Sequence, residues 1–169
     1  NCFISNISLV MHFAAHCYVG ESARSPDIYY RNNVADTLNL LDVLIEFKVL
    51  KFIFSSSCAI FGEPNETPIT ESHPKNPINP YGKTKLENEF SAESYSKDNV
   101  SIIGLRYFNV YGKGQTGSYA GVITKFINKL KENKNPVIFG LGTQVRDFIF
   151  VEDVALANIS AMKSNVNNG

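Results

Sequence analysis

Cysteine is scarce in this chain. Its 169 residues hold three, Cys2, Cys17 and Cys58, an odd set with no C-x-x-C spacing. Neither a disulfide framework nor a cysteine-based zinc site is indicated, and a reducing, cytoplasmic setting fits. Net charge is lacking too: Lys plus Arg equal Asp plus Glu at 16 each, with no polybasic run and no acidic tail. That balance argues against nucleic acid or a membrane surface as the main partner. No apolar run approaches the roughly 20 residues of a membrane span. The amino terminus carries no signal-peptide pattern. A G-x-S-x-G elbow, the mark of one large hydrolase class, does not occur. Internal repeats and low-complexity linkers are missing as well. What is there is a chain 44% hydrophobic, enough for one sizeable core in a globular protein. It starts at Asn1 without methionine, directly ahead of a core-like strand, and so reads as a piece of a longer protein.

Strand-like and helix-like segments alternate. Residues 7–15, "ISLVMHFAA", form a buried-strand run ending in small residues. The spacing then predicts a helix over 26–48, with Pro26 in its first turn and Val34, Leu38, Leu41 and Ile45 along one side. Leu40, Leu44 and Phe47 form a second apolar stripe, more than one buried face requires. "KFIFSSS" (51–57) is the next strand, followed by a loop rich in Pro, Asn and Thr and by a helix from Pro80. "VSIIGLRYF" (100–108) is a third strand. After a Gly-rich stretch come a helix near 119–133, short strands at "PVIFG" and "RDFIF", and a helix from Val151. Alternation with continuously apolar strands argues for an α/β fold, a doubly wound parallel sheet covered by helices on both faces.

In such a sheet, ligands bind where strands end. "HFAAH", "SSSCAIFG" and "RYFNVYG" occupy those ends. His12 and His16 have H-x-x-x-H spacing, but zinc needs both on one helical face, and four strand residues span roughly 13 Å, so no metal site is read here. "NPYGKTKLENEF" (79–90) places Tyr81 and Lys85 four residues apart behind a helix-starting proline. That puts phenol and ammonium on one face, where a cation favours the phenolate and makes a general base. With 8 Tyr and 12 Lys in the chain, about 0.6 such pairs arise by chance, so the spacing alone does not establish chemistry. A hydroxyl at a strand end, Ser57, followed by a Tyr/Lys helix is a constellation that moves protons during hydride transfer.

The blocks "HFAAHCYVGES", "NNVADTLNLL", "FIFSSSCAIFG", "NPYGKTK", "LRYFNVYG" and "GTQVRDFIFVEDVALAN" together resemble the extended short-chain dehydrogenase/reductases, in the NAD-dependent epimerase/dehydratase family, nearest its nucleotide-sugar 4-epimerases. The resemblance covers essentially the whole chain and implies a Rossmann-like fold. Residues 1–110 would be the remainder of the NAD-binding domain, 111–146 part of a substrate domain, and 147–169 a return to the first. It implies Ser57, Tyr81 and Lys85 as catalytic residues. Tyr81 would take the proton from the sugar 4-hydroxyl, Lys85 would hold the nicotinamide ribose, and Ser57 would bond the reacting oxygen, with NAD as cofactor. Phe13, Ala14, Ala15, Cys17, Asn32 and Phe108 match further cofactor-lining positions; Cys17 departs from the lysine some epimerases carry there, and Asn32 and Asn33 are not separable. Asn109, Val122, Val137, Ile138, Phe139 and Arg146 match the UDP-sugar side, Phe139 facing the base and Arg146 the diphosphate. Each has a plainer reading: core for Phe13 and Phe108, a strand-end turn for Asn109, an exposed ion pair for Arg146. Asp153 serves its helix terminus.

The family's glycine-rich turn, G-x-x-G-x-x-G, does not occur in these residues, nor does the carboxyl-terminal part of the substrate domain. The fold expected is therefore an incomplete one, inactive by itself and a homodimer when full length. Three functions stand: a 4-epimerase for UDP-glucose/UDP-galactose or an N-acetyl form; a 4,6-dehydratase or decarboxylase of the same fold; and a non-catalytic NAD-binding regulator or scaffold. Dehydratase relatives place acids directly after the catalytic hydroxyl, where this chain has Cys58 and Ala59. That favours the epimerase.

Overall fold

The computed structural model describes residues 7–98, 100–115 and 120–166. They divide into two compact units, one of residues 1–106 with 160–169 and one of residues 107–159. In the first unit, β1 (Leu9–His12), β2 (Lys51–Ser57) and β3 (Ser101–Tyr107) form a sheet in that order. β1 and β2 are parallel, with Leu9 opposite Lys51 and His12 opposite Phe54. Side chains alternate across a strand, and here both faces are covered. Phe52 and Phe54 pack with Leu41, Leu44, Val49, Ala92 and Ile102, whereas Ile53 packs with Ile103 and Ala161. Each such side chain contributes about 1.5–3 kcal/mol on burial, which explains why β2 reads as an unbroken apolar run.

The helical segment after β1 is subdivided. α1 (Val19–Arg24), which the sequence pattern does not reveal, precedes α2 (Pro26–Tyr30), a π-helical turn (Arg31–Ala35) and α3 (Asp36–Glu46). α3 stops because Lys48 takes a left-handed conformation (φ 55°), with Lys48 N–H on the Ile45 carbonyl and Val49 N–H on that of Leu44. This is a Schellman ending without its usual glycine. The second apolar stripe is corrected: Leu44 lies in the core, Leu40 is half-buried against it, and Phe47 alone of the three is exposed. The 3.6-residue period places Leu41 and Leu44 on one wide face, not two.

α4 (Pro80–Tyr95) carries the Tyr/Lys pair and packs against β2. In the second unit, β4 (Asn109–Tyr111) runs parallel to β5 (Phe148–Phe150), with α5 (Val122–Lys131) between them in sequence and α6 (Val151–Lys163) following. The strand expected at "PVIFG" is not formed. Val137, Ile138 and Phe139 are 59%, 63% and 83% exposed, apolar residues without a strand partner among the described residues. No described helix is long and apolar enough to cross a membrane.

Candidate active site

Three serines end β2, and each meets α4 differently. The Lys85 ammonium, 3% exposed, donates to the Ser55 carbonyl (2.7 Å) and lies 3.3 Å from the Ser55 hydroxyl. The Ser56 hydroxyl donates to Glu89 Oε1 at 2.7 Å. Ser57 Oγ accepts from Ala59 N–H at 3.2 Å and acts on the Tyr81 hydroxyl, whose ionisation it favours. Tyr81 and Lys85 share a face, the ammonium 5.9 Å from the phenol ring centre.

The start of α4 is fixed from several sides. Pro80 supplies a helix-ready φ, and the Asn79 side chain accepts from Gly82 N–H at 2.8 Å, satisfying one of the free donors of the first turn. Tyr81 N–H donates to the buried Ser22 hydroxyl of α1 at 3.2 Å. Gly82 permits the close approach that matters most: a Cβ there would sit 2.5 Å from the Ala59 carbonyl oxygen. Only glycine lets Tyr81 come this near the turn after Ser57. Behind the pair, Asn33 is a structural clamp. Its amide accepts from His16 N–H (2.8 Å) and donates to the His16 carbonyl (2.9 Å) and the Thr84 hydroxyl (3.2 Å). The π-turn leaves the Asn33 carbonyl to accept from Thr37 and Asn88, both at 2.8 Å. Asn33 is thus separated from half-buried Asn32.

Burial dominates the site's electrostatics. It holds Lys85 down to about 8. It pushes the Tyr81 phenol above its ordinary value, opposed by the bond from Ser57. The expectation that Lys85 draws the phenol down is not met in this structure, because the ammonium is turned to Ser55 and desolvation of the phenolate outweighs its charge. His12, bonded to the Thr37 hydroxyl at 3.2 Å, is held below the usual histidine range by burial and then by Lys85. Although Cys17 is exposed as a residue, partial desolvation pushes its thiol up, with Lys85 opposing. Among the described residues no group of three or more His, Cys, Asp and Glu converges as a metal would require.

A strand-end serine that acts on a tyrosine, one helical turn from a buried lysine, is equipped to move a proton at a substrate hydroxyl. The profile of the NAD dependent epimerase/dehydratase family matches residues 2–169. The chain belongs to that family. It is 41% identical to the UDP-glucose 4-epimerase of Lactobacillus helveticus over 172 residues, covering 93% of this chain and 52% of that protein. The UDP-N-acetylglucosamine 4-epimerase of Methanobrevibacter ruminantium M1, solved with UDP-N-acetylmuramic acid, matches at TM-score 0.92 and 36% identity, over 99% of this chain and 56% of that one. The UDP-glucuronic acid 4-epimerase of Bacillus cereus, solved with UDP-glucuronic acid and NAD, matches at 0.88 and 33%, over 99% and 55%. A NAD-dependent NDP-hexosamine 5,6-dehydratase is also similar, at TM-score 0.88 and 27% identity, over 95% and 52%. The chain spans about half the length of the relatives it matches.

As a member of the epimerase/dehydratase family, the chain places its other candidate residues as follows. Phe13, just past β1, is 53% exposed, which removes its reading as core. Ala14 and Cys17 are exposed and Ala15 half-buried beside it. In the second unit, Phe108 is half-buried. Asn109 donates to the Asp147 carbonyl at 2.8 Å, bridging β4 to the residue before β5. Asn109 and Val122 line one 220 Å³ cleft with Tyr111, Gln115 and Phe148. Residues 137–139 and Arg146 lie outside that lining; Arg146 has no carboxylate partner among the described residues and donates to the Val145 carbonyl at 2.7 Å. Sequence reasoning missed Ser55 and Ser22. Ser55 acts largely through its backbone carbonyl, for which no side-chain signal exists.

Proposed function

We propose that the complete protein is an NAD-dependent nucleotide-sugar 4-epimerase acting on a UDP-hexose or its N-acetyl form. The observation that carries this is the grouping at the carboxyl end of a parallel strand, where Ser57 acts on the Tyr81 phenol and Lys85, buried one turn along, donates to the Ser55 carbonyl. The residues fit a nicotinamide nucleotide. Phe13 offers an exposed ring, Ala14 and Ala15 leave room, and Lys85 supplies donors for ribose hydroxyls. When bound, NAD supplies the acceptor and later the donor of the hydride. Tyr81 takes the proton of the sugar 4-hydroxyl and returns it. Ser57 orients the reacting oxygen and favours the phenolate, while Lys85 holds its turn of the helix against the Ser55 carbonyl. Asn109, Val122, residues 137–139 and Arg146 serve the UDP-sugar, Arg146 at the diphosphate. Cys58 and Ala59 follow the catalytic hydroxyl, so no carboxylate stands there to drive an elimination.

The test is incubation of the complete protein with UDP-galactose and UDP-N-acetylgalactosamine. Interconversion is expected, and Tyr81→Phe should keep cofactor and sugar-nucleotide binding while losing about 10²–10⁴ in turnover. Turnover within a few-fold of wild type would exclude Tyr81 as the base. The exposed apolar residues Ile28, Tyr30, Val43, Phe47 and Phe90 on α2, α3 and α4 support a two-fold dimer. Sedimentation of the complete protein as a monomer at micromolar concentration would refute that assembly.

A further inference from the structure

Alternation divides the three serines of β2. Ser55 and Ser57 share a face with Ile53, whereas Ser56 shares one with Phe52 and Phe54, the side packed under α3 and α4. Ser55 and Ser57 are accounted for by Lys85 and Tyr81. Ser56 touches neither, yet it is 2% exposed and donates to Glu89. Glu89 stands four residues beyond Lys85 and eight beyond Tyr81, on the same stripe of α4. Its carboxylate is fully engaged. Arg106 of β3 forks onto both oxygens at 2.9 and 3.0 Å, and Lys75 of the 61–79 loop donates to Oε2 at 2.9 Å. Burial alone would raise this carboxyl, but the bonds from Arg106, Lys75 and Ser56 win and hold it below the usual range. Arg106 also reaches Glu71 at 2.6 Å and lies over the Phe61 ring. The end of β2, the catalytic helix, β3 and the intervening loop therefore meet at one carboxylate.

We propose, resting on the epimerase reading, that Glu89 and Ser56 are positioning residues for Ser57, Tyr81 and Lys85. Lys85 bonds β2 at the Ser55 backbone carbonyl, and Glu89 bonds it at the side chain of the next residue. One such bond leaves the strand free to roll or slide about it. Two on adjacent residues, one to the backbone and one to a side chain, remove both motions, so the Ser57 hydroxyl is held where the Tyr81 phenol needs it. A shift of about 1 Å at reacting groups is enough to cost on the order of 10² in rate.

The experiment uses the complete protein with Ser56→Ala, Ser56→Thr, Glu89→Gln and the Ser56→Ala/Glu89→Gln pair. For Ser56→Ala, kcat on UDP-galactose should fall roughly 10- to 100-fold while KM and bound NAD stay within about two-fold. Ser56→Thr keeps the hydroxyl and should restore most of the loss. The double variant should be no worse than the worse single one, because Glu89→Gln takes the charge from the acceptor of the same bond that Ser56→Ala removes. Independently of turnover, amide exchange at residues 57–60 should accelerate in Ser56→Ala while global stability is kept. Unchanged exchange there overturns the proposal, whether or not the wild type epimerises anything. A lower melting temperature with undiminished kcat also overturns it, by giving Ser56 a merely structural role. A wild type inert toward every UDP-hexose refutes the function reading instead, and the exchange measurement still decides the clamp.

Discussion

Lys85 ties the chemistry of the site to the stability of the protein. In the unfolded chain it titrates at 10.5, in the folded one at about 8, because burial disfavours its charge. Between those values the unfolded chain binds more protons at Lys85, so stability rises with pH across that window and the penalty is fully present below it. Tyr29, pushed up to about 12 chiefly by burial, acts in the opposite sense from pH 10 upward. Denaturant titration of the NAD-free complete protein should therefore show stability increasing from about pH 7.5 to about pH 9.5, and Lys85→Met should flatten that rise. Equal slopes in the two proteins would show that Lys85 is not held down. Gly82 makes a second demand at this scale. Gly82→Ala forces a Cβ to 2.5 Å from the Ala59 carbonyl, so the start of α4 must retreat. A cost of roughly 1–3 kcal/mol is expected from such overpacking, and a denaturation midpoint unchanged from wild type would contradict it. The grouping of Ser57, Tyr81 and Lys85 at one strand end was legible in the sequence because the roles proposed for them need particular side chains at fixed spacing after a strand. Asn33 was not separable from Asn32, since what distinguishes them is a bond to Thr84, 51 residues away.

At the scale of elements, legibility followed whether the forces were local. β2 and the start of α4 announce themselves through the apolar run Phe52–Phe54 and through Pro80. The π-turn at Arg31–Ala35 carries no such mark, because part of its compensation comes from Asn88 of a distant helix. "PVIFG" misled for a different reason. Apolar β-formers report a taste for burial, not the presence of a partner strand, and in residues 137–139 the apolar surface stays exposed, as a ligand-facing segment's would. The second stripe on the long helical segment misled because a broad core face reads as two when each row is counted alone. The cap offers the cleanest test: Asn79→Ala should cost about 1 kcal/mol, with Asn79→Asp close to wild type, since either side chain accepts from Gly82 N–H. Equal stability of all three in urea titration would mean that α4 is started by Pro80 and tertiary contacts alone.

For the molecule as a whole, possession of the three side chains proposed as catalytic has to be separated from possession of a cofactor site. Ser57, Tyr81 and Lys85 reach only the nicotinamide end of a dinucleotide in the reading above. The pyrophosphate is normally seated by a glycine-rich turn at a helix amino terminus, and no G-x-x-G-x-x-G occurs in these 169 residues. The chain also spans about half the length of its relatives. Produced by itself, it should neither retain NAD nor interconvert UDP-glucose and UDP-galactose. An unanchored nicotinamide spends little time within the roughly 3–3.5 Å reach that hydride transfer requires, so the three catalytic groups have nothing to act with. Calorimetry with NAD on the 169-residue chain, after circular dichroism has established that it folds, decides the matter. Micromolar binding there, or any measurable epimerisation, would show that the phosphate grip lies within these residues and that the division of labour drawn from Ser57, Tyr81 and Lys85 is wrong.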